Sequence, residues 1–153
     1  MSEGSPFRYA KADESPGFLL WKLTALWRGE LTRLLDGYGI TQTQYAILAS
    51  LRWFEEQGEP PTQSHLAEHT RTDKMTLSKA LRGLEIQGLV KRAPSREDNR
   101  AVRVRCTARG RALIQKAVVA VEEADETFFS RLPRGELETY KALTRALIAG
   151  NVP

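Results

Sequence analysis

One stretch limits the architecture more than any other. From Ser95 to Gly110 the chain reads SREDNRAVRVRCTARG, with five arginines, and apolar and basic residues alternate up to Cys106. A period of two marks a half-buried strand. Its obvious antiparallel partner is Leu89-Val90, which is too short for a helix. Pro94 to Arg100, rich in turn-forming and charged residues, make the connecting loop. An isolated hairpin is marginal in water. This one must therefore lean on helices through Val102, Val104 and Cys106, with Arg103 and Arg105 facing out.

The remaining sequence supplies those helices. Ser15 and Pro16 stand at the N-cap and first helical position of a helix that carries leucines at helical spacing through Leu35. Gly37 and Gly39 stop it. Thr41 caps a second helix with Ile47, Leu48, Leu51 and Phe54, ended by Gly58 and Pro60-Pro61. Thr62 caps a short helix reaching His69, and a turn at Thr70–Thr72 leads into a helix over Asp73–Gln87, closed by Gly88. After the hairpin, Thr107 caps a long helix, and Pro133 begins a last one ending at Gly150. Residues 1–15 are polar and expected to be loose or weakly docked. The fold class is mostly α with a small β-hairpin wing: a winged helix-turn-helix, with further helices at both ends.

Charge is concentrated on the same hairpin. The net charge of the chain is +4, but Lys91 to Arg111 holds eight cations against Glu97 and Asp98, a local +6. A basic patch on an otherwise slightly acidic chain points to a polyanion partner. The length of 153 residues fits one domain, or one domain plus an oligomerisation element. No apolar run is long enough to span a membrane, and the N-terminus lacks a signal pattern. The one cysteine, Cys106, cannot form an internal disulfide, so a cytoplasmic setting is the default.

On a helical wheel, Leu77, Ala80, Leu81 and Leu84 form the buried stripe of the Asp73–Gln87 helix. Met75, Ser78, Lys79 and Arg82 lie opposite, with Thr76 and Gly83 at the edge. Cations and hydroxyls suit the base edges and phosphates of a major groove, and Met75 suits a thymine methyl. Thr72 and Lys74 stand where a helix N-terminus favours phosphate, while Asp73 opposes it. Arg96, Asn99, Arg100 and Arg103 are the wing candidates. Arg100, near the tip, suits a narrow minor groove. Asp98 is too acidic to bind DNA directly and reads as an organiser that pairs with Arg100 or a neighbouring cation.

Three segments carry a family resemblance: GYGITQTQYAILASL (37–51), TLSKALRGLEIQGLVKR (76–92) and DNRAVRVRCTARGRAL (98–113). They resemble the MarR family of bacterial and archaeal transcription regulators, over about residues 15–150. The most specific match is the wing Asp98-x-Arg100 followed by a strand and Thr107-x-x-Gly110. The resemblance implies an obligate homodimer, Arg100 in the minor groove and the helix over residues 73–87 in the major groove. It also implies regulation by small, often aromatic or phenolic, anions, with Trp21, Trp27, Tyr38, Tyr45 and Trp53 as candidate pocket walls. Met75 stands where the family usually has a small polar residue, which leaves the preferred sequence open.

Hydrophobic patterning leads to a dimer independently. The first helix is apolar over more than half its circumference, and Leu137, Tyr140, Leu143 and Leu147 make another stripe. Three short helices and a hairpin cannot cover both. The expected division is a single unit over 1–150, with a DNA-binding lobe at 38–106 and dimerisation helices at 15–37 and 107–150. A two-fold dimer places its two recognition helices about one DNA turn apart, so the site should be pseudo-palindromic.

Two constellations compete with this reading. His65-Leu66-Ala67-Glu68-His69 matches an H-x-x-E-H zinc pattern, but the helix is short and the chain has no further histidine. Cys106 alternates with arginines, which lower a thiol's pKa, yet the strand pattern turns it inward as a small buried thiol. The family's peroxide-sensing members carry their cysteine near the N-terminus, where this chain has none. No nucleotide or phosphate-ester motif is present, so no cofactor and no enzymatic activity are expected. The alternative function is a winged-helix interaction module for an acidic protein partner, without DNA sequence preference.

Overall fold

The computed structural model describes residues 4–153. Five helices begin on a side chain that accepts a backbone N–H, the arrangement that satisfies a helix's orphan donors. Helix α1, Pro16–Asp36, starts on Ser15 (3.3 Å from the Phe18 nitrogen). Helix α2, Gln42–Gln57, starts on Thr41 (3.1 Å from Gln44), and α3, Gln63–Thr70, starts on Thr62 (3.1 Å from His65). Helix α4, Lys74–Ile86, starts on Asp73. After the antiparallel strands β1, Val90–Pro94, and β2, Val102–Cys106, helix α5, Ala108–Phe129, starts on Thr107. Helix α6, Glu136–Asn151, closes the chain.

The core lies where α2, α3, α4, the sheet and α5 converge. Leu48, Leu66, Leu77, Leu81, Val104 and Ile114 are fully buried in it, with Leu31 and Leu35 from the C-terminal half of α1. The buried stripe of α4 is the expected one, with Ala80 half-buried beside it.

Gly110 locks α5 onto the hairpin. A Cβ there would lie 2.0 Å from the Leu89 carbonyl oxygen, so any other residue meets fixed backbone. Thr107 completes the joint: its N–H donates to the Leu89 carbonyl (3.0 Å) and its hydroxyl to the Gly88 carbonyl (2.6 Å). This is the physical content of the Thr-x-x-Gly spacing.

The structure corrects several boundaries. Strand β1 runs to Pro94 rather than stopping at Val90, with Val90 opposite Cys106 and Pro94 opposite Val102. Arg92 is tolerated there because its guanidinium meets Glu85 of α4 (2.5 Å) and Gln63 of α3 (3.3 Å). Pro133 does not begin the last helix. Gly135 takes φ 86, which breaks the helical path, and the helix starts at Glu136 and runs on to Asn151. The loose N-terminal segment contains a 3₁₀ turn, Ala12–Glu14, that touches α1; residues 1–3 of that expectation lie outside the described residues.

The ends of the chain are left uncovered. Leu20, Trp21 and Leu26 of α1 and Leu143, Leu147 and Ile148 of α6 are exposed. Among the described residues α6 has no extended packing partner; Tyr140 meets Phe129 with ring centroids 5.0 Å apart.

Candidate nucleic-acid interface

The turn between α3 and α4 is held by its own polar groups. Thr70 Oγ1 lies 2.7 Å from the Leu66 carbonyl oxygen and 3.0 Å from Thr72 Oγ1, which leaves Thr72 half-buried. Asp73 is the N-cap rather than the first helical residue. Its carboxylate accepts the Thr76 N–H (2.9 Å) and the Thr76 hydroxyl (2.6 Å). These bonds, the hydroxyl's first, hold it below the usual carboxylate range. Thr76 therefore offers a hydroxyl already committed to Asp73.

Beyond the cap, the outward face of α4 is open. Lys74, Met75, Lys79 and Arg82 are exposed, Met75 at 84%, and Ser78 is half-buried. The three cations have no ion-pair partner among the described residues. Ile86 continues this stripe at 87% exposure. It falls four residues after Arg82, so the same helical wheel contains the signal for it.

At the wing tip, Asp98 Oδ1 accepts the Arg100 backbone N–H (3.0 Å) and lies 3.5 Å from Arg100 Nε. The Ala101 N–H closes the turn on the Asp98 carbonyl (3.0 Å). Asp98 is thus paired with Arg100 at the tip. The Arg100 side chain remains 93% exposed. Arg96 and Asn99 are exposed beside it.

Arg103 does not face out. The Pro60–Thr62 segment lies along the free edge of β2, where the Val104 N–H donates to the Pro61 carbonyl (3.0 Å) and Thr62 bridges Arg103. Arg103 folds over that segment, donating to the Pro60 carbonyl (2.6 Å) and to Ser95 Oγ (3.4 Å), with Glu97 3.5 Å away. It braces the root of the wing. Ser95, which the sequence presents as loop, is buried there.

The patch is thus smaller than its composition. Arg92 is spent on Glu85, Arg103 on the wing root, and Arg111 on Glu55 of α2 (3.0 and 3.1 Å). Lys91, Arg96, Arg105 and Arg109 are exposed with no ion-pair partner among the described residues.

Of the five candidate pocket aromatics, Trp21, Tyr38, Tyr45 and Trp53 do not share a cavity. Trp21 is 76% exposed on α1. Tyr38 packs against the core, and Trp53 stacks on His69 (5.7 Å). Burial pushes the Tyr45 hydroxyl up to about 12, aided by Asp125 and Glu122. They scatter because helical spacing fixes a face, not a position in space. An open cavity of about 940 Å³ lies instead between α1 and the end of α5. Leu23, Leu26, Leu34, Phe128 and Tyr140 line it with Arg33 and Arg131. Trp27 lines a smaller adjoining pocket with Leu34 and Phe128 and donates from Nε1 to Asp125 (2.8 Å).

The remaining constellations are absorbed by packing. His65 and His69 rest on Phe54, with centroids 5.3 and 5.1 Å away. Among the described residues no three His, Cys, Asp or Glu side chains are grouped to hold a metal. Cys106 is buried, and burial raises its thiol to about 12.

A family model described as an ArnR1-like winged-helix domain matches residues 36–123. The HTH-type transcriptional regulator YdcH of Bacillus subtilis is 31% identical over 129 residues, covering 84% of this chain and 88% of the relative. The HTH-type transcriptional repressor Rv2887 of Mycobacterium tuberculosis is 31% identical over 137 residues, covering 89% and 96%. The solved structure of Rv2887, a MarR family protein, superposes with a TM-score of 0.67 at 28% identity over 87% of this chain and 98% of that one. This chain belongs to the MarR family. It is a DNA-binding transcriptional regulator, not an enzyme. The same fold is found in a crystallised S. aureus MepR–DNA complex, with TM-score 0.80 and 24% identity over 89% of this chain and 98% of MepR. Among the described residues of this MarR-family chain, no helix is long and apolar enough to cross a membrane.

Proposed function

We propose that the protein is a homodimeric, sequence-specific repressor that occupies a pseudo-palindromic duplex site and is released by a small aromatic anion. The observation that carries the DNA-reading part is the pairing of two prepared elements. One is the open face of α4, with Lys74, Met75, Lys79 and Arg82; the other is the wing tip that holds Arg100 out from Asp98. Helix α4 enters the major groove, where Thr72 and Ser78 add hydroxyls near its start and Thr76 acts through its bond to Asp73, and Arg96, Asn99 and Arg100 address the minor groove. Arg103 acts through the wing root.

Residues 38–106 form the reading lobe, and 15–37 with 107–150 form the dimer. The uncovered apolar faces of α1 and α6 support that division, because a second copy is the partner that buries both at once. The ligand reading is supported by the cavity beside Arg131, which supplies apolar walls and a cation for a carboxylate, while Arg33 in the same lining is paired with Glu30. Rv2887 has been crystallised with p-aminosalicylic acid.

Selection from a random duplex pool, run beside Arg100→Ala, tests the proposal. The expected product is a palindrome with half-sites about ten base pairs apart, enriched less by the variant. Salt-sensitive binding to any duplex without enrichment would overturn sequence-specific repression and return the hairpin to a docking patch for an acidic partner. Salicylate, added to the enriched complex, is expected to dissociate it.

A further inference from the structure

Helix α3 ends on Arg71 at φ 51, ψ 42, in the left-handed region. Among the described residues it is the one non-glycine with positive φ; the other five positions are glycines. The conformation is imposed by the backbone, since the Arg71 N–H closes the end of α3 on the Ala67 and Glu68 carbonyls. Glycine would adopt it without the clash that a Cβ brings.

The arginine side chain does not repay that strain inside the fold. It is exposed, and among the described residues it makes no ion pair, although Glu68 is three residues away. Strained non-glycine residues of this kind persist where the side chain has work to do. Its position suggests the work. Arg71 lies in the link between the two helices of the helix-turn-helix, where the first helix crosses the DNA backbone and the second enters the groove. Asp73, two residues on, sets a carboxylate at that entrance, and Arg71 and Lys74 flank it.

We infer that Arg71 contacts a backbone phosphate at the entrance to the major groove and offsets the charge of Asp73 there. The inference rests on α4 as the groove-entering helix. It adds a positioning contact outside α4 and the wing, one that fixes register without reading sequence.

The test compares wild type, Arg71→Gly and Arg71→Lys on a mixed-sequence duplex and on the enriched site, across a salt series. Arg71→Gly relieves the backbone, so its Tm is expected to rise by about 2–4 °C. Its affinity is expected to fall about three- to tenfold on both duplexes, with the slope of log K against log salt reduced by about 0.9 per protomer. Arg71→Lys keeps the charge and the strain, and should keep most of the slope at the wild-type Tm. Wild-type affinity and slope in Arg71→Gly would make Arg71 a strained cap and nothing more. A changed base preference would make it a base contact and overturn the phosphate assignment. If α4 is not the reading helix, the enriched site will be insensitive to Lys79→Ala and Arg82→Ala, an outcome distinguishable from failure at Arg71 alone.

Discussion

Replacing Gly110 with alanine tests the joint between α5 and the hairpin. The new Cβ falls 2.0 Å from the Leu89 carbonyl oxygen, 2.9 Å from its carbon and 3.2 Å from its Cα. All three are backbone atoms, and the same carbonyl accepts the Thr107 N–H. Overpacking in a core where side chains can move costs about 1–3 kcal/mol. Here no side chain can yield, so the cost stands at or above the top of that range. Alanine returns roughly 0.5–1 kcal/mol through helix propensity. A net loss of at least about 2 kcal/mol follows, and at 2–4 °C per kcal/mol for a chain of this size Tm falls by at least about 4–8 °C. Thermal melts by circular dichroism at one fixed protein concentration measure it. Gly17→Ala is the control: it also lies in the first turn of a helix, with nothing within 4 Å of its Cβ. A Gly110→Ala variant melting within about 2 °C of wild type, alongside a control at or slightly above wild type, would refute the close approach.

Two further outcomes bear on the wing and the thiol. Asp98→Ala removes the acceptor for the Arg100 N–H, so DNA affinity should fall about three- to tenfold, the worth of one hydrogen bond; equal or tighter binding, as loss of a negative charge alone would give, would sink the organiser role. Cys106 keeps its proton in the fold to about 12 against an ordinary 9.0. Between those values the unfolded chain holds fewer protons than the native one, so stability falls as pH rises through that window and is unaffected below it. Urea titrations from pH 8 upward should show a decline that is shallower in Cys106→Ala, and native Cys106 should react slowly with a disulfide reagent at neutral pH. Prompt native reaction would contradict its burial.

Local rules made much of this molecule legible. Ser15, Thr41, Thr62 and Thr107 are caps because a hydroxyl three residues ahead of an N–H is a purely local arrangement. The buried stripe of α4 follows from its period. What failed depended on contacts distant in sequence. Arg103 looked outward because strand alternation cannot anticipate Pro60, 43 residues earlier, lying along the edge of β2. Pro133 is the exception: Gly135, two residues on, is a local turn signal that outranks a proline at the first helical position. The aromatic pocket failed for the same reason as Arg103, since Trp21 and Trp53 sit on helix faces whose separation only packing determines. Arg71 left no composition signal, because its distinction is a backbone angle.

Counting cations overstated the basic patch, and the engaged ones reveal how the lobe is coupled. Arg92 ties β1 to α4 and α3, Arg103 ties β2 to the α2–α3 link, and Arg111 ties α5 to α2. These guanidinium forks add polar ties between elements that also meet through apolar packing and, at Val104 and Pro61, a backbone hydrogen bond, so the wing is braced against α4 and the α2–α3 link. Helix α5 then spans both ends of the proposed switch. Its first turn is clamped to the hairpin through Thr107 and Gly110, and its last turns, with Phe128 and Phe129, wall the cavity beside α1. A ligand changes DNA affinity only if it binds two arrangements of the protein unequally. In the proposed switch, α5 is the element through which a difference felt at the cavity would reach the internally braced lobe.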